Sequence, residues 1–347
     1  MAVVPSSVLT ALARAEHLPC PLCGGDDAYP LWFRPLDADR AVDAHLTPRG
    51  VPGWWVVRCA QCGLGWVDPL PLESDLAAIY DESHVTPAAF AGIAHQGGIG
   101  GSLDLYDRPG GRQASLRWHG ARLAEIERHG LNGMGVPARG RLLDVGCGAG
   151  YFLDAARVVG WQVAGVELSG PAAALARDSL GLDVWSGSLV EAAFPDDAFD
   201  LVTMFEVLEH MRDPGAALQE ANRVLRRGGL LAIEVPNDMD AYRARFARPD
   251  NRWWVIPPVH LYYFNASTLS RWLLMNGFEP VYLATEGSVG GDLLSQLRGR
   301  GWQAGRWVAG GVRRLLAPAD WLLERTGRHS ELIVLAQKRA SLLSPSP

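Results

Sequence analysis

Leu142-Leu143-Asp144-Val145-Gly146-Cys147-Gly148-Ala149-Gly150-Tyr151 runs an apolar strand into a glycine-packed turn, and Phe152-Leu153-Asp154-Ala155-Ala156 continues as a helix. Glycines at such a turn let the chain reverse sharply and let backbone N–H groups approach a ligand without Cβ obstruction. The arrangement predicts a nucleotide-type site at the carboxyl end of a parallel strand. A dinucleotide fingerprint would require its third glycine at 151. Tyr151 stands there, so the spacing is Gly-x-Gly-x-Gly behind Asp144.

Working outward, the alternation of strand and helix continues. Trp161 to Leu168 reads as the next strand and ends at Glu167, 21 positions after Gly146. A carboxylate at that strand tip can accept both ribose hydroxyls of a nucleotide. Ser169-Gly170-Pro171 opens a helix, Leu182–Trp185 and Phe199–Phe205 read as strands, and Asp213-Pro214 caps a helix to Leu225. Arg227-Gly228-Gly229 is expected to stop that helix before a strand over Leu230–Val235. Phe278–Leu283 and Glu331–Ala336 complete seven strands, and Ser267-Thr268 reads as the N-terminus of the helix before the sixth. This pattern is an α/β, doubly wound, seven-stranded sheet.

Four of the five cysteines form Cys20-Pro-Leu-Cys23-Gly and Cys59-Ala-Gln-Cys62-Gly. In each knuckle the turn brings two thiolates toward one metal, and two knuckles give the tetrahedral sulfur set that suits structural zinc. Two disulfides or unrelated thiols are the alternative. Cys147, inside the glycine turn, is expected merely to be small.

These signals divide the chain into a zinc-ribbon module at 19–72, a linker with helices at 73–138, and a core at 139–285 with a lid at 236–262. A helical insertion at 286–329 and a last core strand at 330–340 follow. The insertion carries seven Arg against four acids and three Trp. Its helical apolar spacing suggests a cap over the site or an amphipathic helix on a membrane surface. Arg112 to Arg128 has helical apolar spacing, and this helix is expected to lie over a ligand held at the glycine turn, with Tyr106 and Arg112 either touching one end of that ligand or standing as solvated helix residues.

The formal net charge of −6 argues against a general nucleic-acid binder. One Lys among 32 basic residues weakens any mechanism that needs a lysine. No apolar run of 18 residues is present and the first residues lack the order of a signal peptide, so a cytoplasmic location is expected.

Over residues 19–340 the chain resembles class I S-adenosylmethionine (SAM) methyltransferases bearing an N-terminal zinc ribbon. It is similar to the group of ubiquinone-pathway O-methyltransferases and sugar and natural-product methyltransferases. The resemblance rests on the glycine motif with Glu167, on Phe194-Pro195-Asp196-Asp197-Ala198-Phe199-Asp200, on Glu206-Val207-Leu208-Glu209-His210, and on Pro258-Val259-His260-Leu261-Tyr262-Tyr263-Phe264. It implies a Rossmann-like sheet and SAM held by Asp144, Gly146, Cys147, Gly148, Gly150, Tyr151, Phe152, Glu167, Leu168, Ser188, Leu189 and Phe205. The family usually has an acid after Gly187 to accept the adenine amino group, whereas this chain has Ser188, a weaker acceptor.

Glu206, Glu209 and His210 stand at i, i+3 and i+4, a spacing that can place them on one face of a helical turn. His210 is the natural general base. With His260, the pattern also resembles the divalent-ion site of small-RNA ribose methyltransferases, so Glu206, Glu209, His210 and His260 could hold Mg²⁺, Mn²⁺ or a similar ion. A purely structural role for the four is the third possibility. The expected acceptor is a small molecule offering a hydroxyl or carbon. Methylation of RNA or protein through the ribbon, or a SAM-fold binding protein without catalysis, are the alternatives.

Overall fold

The computed structural model describes residues 19–35, 53–71, 110–131, 139–242, 259–299 and 306–339. Tyr106, most of the linker and the lid between 243 and 258 lie outside them.

The central sheet contains β4 (Arg141–Val145), β5 (Gln162–Glu167), β6 (Val184–Ser186), β7 (Phe199–Phe205), β8 (Leu225–Pro236), β10 (Phe278–Glu286) and β11 (Glu331–Lys338). Their order is β10-β11-β8-β7-β4-β5-β6, and all the pairings are parallel except the two made by β11. The chain runs outward from β4 to β6, then returns to β7 on the other side of β4. That reversal opens a crevice at the carboxyl ends of β4 and β7, where open α/β sheets bind ligands. The buried faces are mainly apolar, from Leu142 and Leu143 on β4 to Leu230–Ile233 on β8, with Asp144 and Thr203 as buried polar exceptions, as a doubly covered parallel sheet requires.

Helix α1 (Gly111–Ile126) precedes β4, and α2 (Tyr151–Val158), α3 (Gly170–Leu180), α4 (Pro214–Val224) and α5 (Ala266–Met275) connect later strands. Their ends follow side-chain chemistry. Ser169 and Asp213 accept the amides of Ala172 and Ala216, each with proline in the first turn, a cap worth about 1 kcal/mol. The start of α5 differs from the expected Ser267: Asn265 accepts the Thr268 amide, and the Thr268 hydroxyl accepts the Asn265 amide. This reciprocal box satisfies two otherwise orphaned donors and outcompetes a single serine cap. A second difference lies at Leu225, where β8 already begins and continues through Gly228 at φ 72°. The glycine pair is absorbed as an irregularity within the strand instead of ending the helix beforehand.

The expected insertion is two helices, α6 (Val289–Gly299) and α7 (Arg306–Arg325), lying against each other. Gly290 permits the contact, since a Cβ there would come 3.0 Å from the Arg313 Cα. Asp320 accepts the Val289 amide, and Tyr242 donates to Asp292. The outer side of α7 leaves Val308, Leu315 and Leu322 exposed. Among the described residues, no helix is long and apolar enough to cross a membrane.

The cysteine region forms a second sheet whose order is β1-β2-β3-β9, built from β1 (Ala28–Pro35), β2 (Gly53–Cys59), β3 (Gly65–Asp68) and β9 (Tyr262–Tyr263). Its fourth strand comes from the segment expected to act as a lid. Gly65 pairs with Tyr263 and Trp66 with Tyr262. Trp55, Val57, Leu64 and Trp66 share one apolar core with Val145, Met204, Tyr262, Phe264 and Trp272. The cysteine region and the α/β domain are therefore one packed unit in the described residues.

Candidate active site

The glycine turn is shaped for close approach. Gly146, Gly148 and Gly150 have φ of 72°, 53° and 81°, all in the left-handed region. A Cβ on Gly146 would meet Val207 at 2.4 Å, and one on Gly150 would meet Leu182 at 2.4 Å. Nothing stands within 4 Å of the same position on Gly148, which leaves an open cradle. The amides of Gly146 and Cys147 both donate to Val166 at the end of β5, fixing the turn to its neighbour. Cys147 is buried, and a Cβ on Gly165 would sit 2.7 Å from its sulfur, so the position demands a small side chain.

Glu167 takes the expected place at the tip of β5. One carboxylate oxygen accepts the Gly148 amide at 2.8 Å and the other accepts the Ser169 amide at 2.8 Å. Each retains a lone pair for a ribose hydroxyl. Asp144 is buried and accepts a 2.6 Å hydrogen bond from Thr203 on the neighbouring strand. Burial, with the charge of Glu167, lifts its carboxyl to about 7 against the Thr203 bond. Leu168 is 58% exposed at the same edge, an apolar face that a purine ring would cover, while Leu189 is buried.

Three of the residues expected near the cofactor make contacts within the protein. Phe152 turns into the core, edge-on to Phe205 at 5.0 Å and to His119 at 6.0 Å. Ser188 donates its hydroxyl to Glu191 at 2.7 Å. The Ser188 amide and hydroxyl hold the Glu191 carboxyl below the usual range. Arg112 hydrogen-bonds both oxygens of Asp154 instead of reaching over the cleft, because α1 packs along α2.

The loop after β7 does not form the expected helical face. Glu206 adopts φ 55°, and only Leu208–His210 make a short 3₁₀ turn. The left-handed residue separates Glu206 from the other two. Nitrogen atoms of His210 and His260 and an oxygen of Glu209 lie within 4.8 Å of one another, without Glu206. The two imidazoles meet edge-on with centroids 4.8 Å apart.

His210 Nδ1 is 2.8 Å from the Val259 carbonyl, an acceptor, so that nitrogen carries the proton. Burial pushes the imidazolium pKa down to about 4, so the ring is neutral near pH 7. Nε2 then has a bare lone pair, and it faces Glu209 Oε1 at 3.6 Å. Glu209 is fully buried, and neither of its oxygens has a hydrogen-bond donor among the described residues. Burial and the neighbouring charges of Asp238, Glu331 and Glu234 push its carboxyl far above the ordinary range. Two facing lone-pair sites require something positive between them, either a proton or a metal ion.

Sequence reasoning missed Arg122, Glu234 and Glu286. Buried Arg122 pairs with Glu234 at the end of β8 and with Glu286 at the end of β10, and it lies 5.6 Å from the Phe205 ring centre. The signal was available in Glu234, a lone charge inside the apolar run Leu230–Val235.

At the other sheet, the four cysteine sulfurs all lie within 4.8 Å of one another, with Cys20–Cys62 and Cys23–Cys59 at 3.5 Å. Tetrahedral thiolates at Zn–S of about 2.3 Å stand roughly 3.8 Å apart, so the set is compatible with one zinc ion. Gly24 and Gly63 provide the expected left-handed reversals at 71° and 81°. Burial opposes ionisation of Cys59, yet the amides of Cys62 and Gln61 bring its thiol down to about 7.

Comparison with known proteins finds similarity to methyltransferases. A family profile described as "Methyltransferase domain" matches residues 118–283. A Mycobacterium tuberculosis protein named as a probable S-adenosylmethionine-dependent methyltransferase is 32% identical over 181 residues, covering 52% of this chain and 62% of that protein. A ubiquinone biosynthesis O-methyltransferase of Bradyrhizobium is 35% identical over 102 residues, covering 28% of this chain and 40% of that protein. A solved SAM-dependent methyltransferase from Archaeoglobus fulgidus aligns with 64% of this chain and 94% of its own, at 19% identity and a TM-score of 0.45. The chain thus spans about three fifths of the length of the mycobacterial relative it matches.

Proposed function

We propose that the protein is a SAM-dependent methyltransferase that methylates a hydroxyl or carbon of a small-molecule acceptor, a reading supported by the methyltransferase profile over residues 118–283 and the mycobacterial relative. The observation that carries this reading is the closeness of cradle and loop. Gly146 of the glycine turn abuts Val207, one residue before the turn that bears Glu209 and His210. When bound, SAM supplies a methyl group on a sulfonium centre that is open to in-line displacement. Glu167 would orient the ribose, the open space at Gly148 would receive the polar end, and the exposed Leu168 would lie against the purine. The acceptor enters from the side of Glu206, Glu234 and His260. His210 Nε2, which the Val259 bond leaves without a proton, would take up the proton of an acceptor hydroxyl. The depressed basicity of His210 keeps it deprotonated and ready at neutral pH.

A second reading rests on the unpartnered carboxylate of Glu209. Glu209, His210 and His260 would hold a divalent ion, with His210 oriented by its carbonyl bond as metal-ligating histidines are. Two imidazoles and one carboxylate suit Mn²⁺, Fe²⁺ or Zn²⁺ better than Mg²⁺, which favours oxygen ligands. The ion would lower the pKa of a hydroxyl acceptor, and Glu206 would play no part in holding it. At the cysteine knuckles, zinc fits as a structural ion, because four thiolates leave no open position. The exposed Val308, Leu315 and Leu322 beside Arg314 and Arg325 support contact with a lipid surface or a lipidic acceptor.

His210→Ala tests the core of the proposal. Turnover should fall by about 10²–10⁴, with SAM affinity by calorimetry nearly unchanged. His260→Ala separates the readings: it should be as severe if an ion is held, and mild if His210 acts alone. Full turnover in His210→Ala would remove both.

A further inference from the structure

The segment between the cysteine sheet and the catalytic loop is bonded on both sides. On one side, Val67 of β3 donates its amide to the Leu261 carbonyl at 2.9 Å, and β3 pairs with β9 immediately beyond. On the other side, the Leu261 amide donates to the Glu209 carbonyl at 2.8 Å. The Val259 carbonyl, two residues earlier, receives His210 Nδ1. A second route runs parallel to the first. Arg212 Nε donates to the Pro71 carbonyl at 2.9 Å, and the Tyr262 hydroxyl donates to the Arg212 carbonyl at 2.9 Å. Residues 259–262 therefore lie between two layers, with β3 and Pro71 outside and Glu209–Arg212 inside.

The cysteine knuckles fix the outer layer. Cys59 ends β2, and the Cys59 amide donates to the Leu64 carbonyl just before β3. Cys62 lies between them, with its amide 3.5 Å from the Cys59 sulfur. The β2–β3 connection is therefore the knuckle itself, and the position of β3 follows from the sulfur cluster.

We propose that the four-cysteine region positions the catalytic loop: β3 seats the Val259–Tyr262 segment, and that segment sets the tautomer of His210 and the place of Glu209. Leu261, Val259 and Arg212 are positioning residues, none of which touches the cofactor cradle. The role assigned to His210 rests on the function proposed above, whereas the coupling itself does not. Opening the sulfur cluster frees β3, and Val259 then no longer holds His210 Nδ1–H. His210 samples both tautomers while the glycine turn, anchored to Val166 of β5 by the amides of Gly146 and Cys147, keeps its shape.

The test compares the full chain with its Cys62→Ser and Arg212→Ala variants. Three quantities are read: imidazole ¹⁵N shifts of His210, hydrogen exchange at the Val67 and Leu261 amides, and SAM affinity by calorimetry. In the parent, His210 should show a single Nδ1–H tautomer and both amides should be protected. Cys62→Ser should speed exchange at both amides at least ten-fold and average the His210 signals, while the SAM dissociation constant stays within about three-fold. Arg212→Ala, which leaves every cysteine in place, should move the same signals in the same direction by less. A His210 signal that stays locked while Val67 and Leu261 exchange freely would overturn the proposal. Unchanged protection in Cys62→Ser would overturn it equally. Should Cys62→Ser fail to bind SAM through general unfolding, Arg212→Ala decides by the same two readouts. An averaged His210 signal with full turnover would leave the coupling standing and remove His210 from the reaction.

Discussion

The cofactor side and the reacting side of the sheet edge are built in opposite ways. The first is nearly contiguous: Asp144 to Tyr151 and Glu167 to Ser169 supply it, and apart from the Thr203–Asp144 bond the hydrogen bonds named above close within these turns and the end of β5. The second draws Arg122, Glu209, His210, Glu234, His260 and Glu286 from distant parts of the chain, and it buries a carboxylate with no donor among the described residues. A cradle satisfied by its own backbone is stable before any ligand arrives. A pocket of facing lone pairs gains stability when a cation or proton enters it. Affinity for the cofactor and cost of the reactive pocket are thus separable in this protein, and substitutions should divide along that line.

The largest expected effect is on the cradle. Gly146→Ala combines a left-handed backbone with a Cβ 2.4 Å from Val207. It should lower unfolding stability by about 2–4 kcal/mol and abolish SAM binding, read by urea denaturation and calorimetry. Binding within a factor of two of the parent would break the contrast, because the cradle would then tolerate the kind of change that it should forbid.

On the reacting side the sign should reverse. The Glu209 carboxyl is raised in the folded state, so the folded protein favours its protonated form. Stability from this group is present below the unfolded carboxyl pKa and is lost as pH rises through the folded value. In metal-free protein at pH 8, Glu209→Gln should therefore stabilise the fold by about 1–3 kcal/mol, with little gain at pH 4. Turnover should fall in the same variant. Destabilisation at pH 8 would show that Glu209 has a strong donor, and an added divalent ion that closes the gap between parent and variant would favour the metal reading.

The smallest effect sharpens the cofactor side. Leu168→Ala removes apolar surface that only a bound purine would cover. Stability should hardly change, while SAM affinity should weaken about five-fold, on the order of 1 kcal/mol. A change in melting temperature without a change in affinity would place the adenine elsewhere.

The legibility of each region in the sequence follows the same division. Strand β7 was readable to the residue, and the Ser169 and Asp213 caps were readable because a short side chain next to proline has few other uses. The cysteine knuckles announced their own geometry. Asn265 was overlooked because its partner Thr268 was read as part of the cap itself. The separation of Glu206 from Glu209 depends on one left-handed residue that nothing in its type requires. Pairing of β3 with β9 could not be read, since two residues in each strand, far apart in the chain, carry no periodicity that marks them as neighbours.

That pairing also bears on how the protein can be made and cut. During synthesis the cysteine-bearing segment emerges first, yet its sheet lacks a fourth strand until Tyr263 has left the ribosome. The contact closes a long loop, the kind of event that comes late and slowly in folding. A boundary drawn after residue 72 is therefore unsuited to fragment expression. An isolated front piece would expose the edge of β3 as a template for aggregation, and a piece starting beyond it would leave Tyr262, Phe264 and Trp272 without Trp55 and Trp66. Chimaeras that exchange the cysteine region should carry residues 259–264 with it.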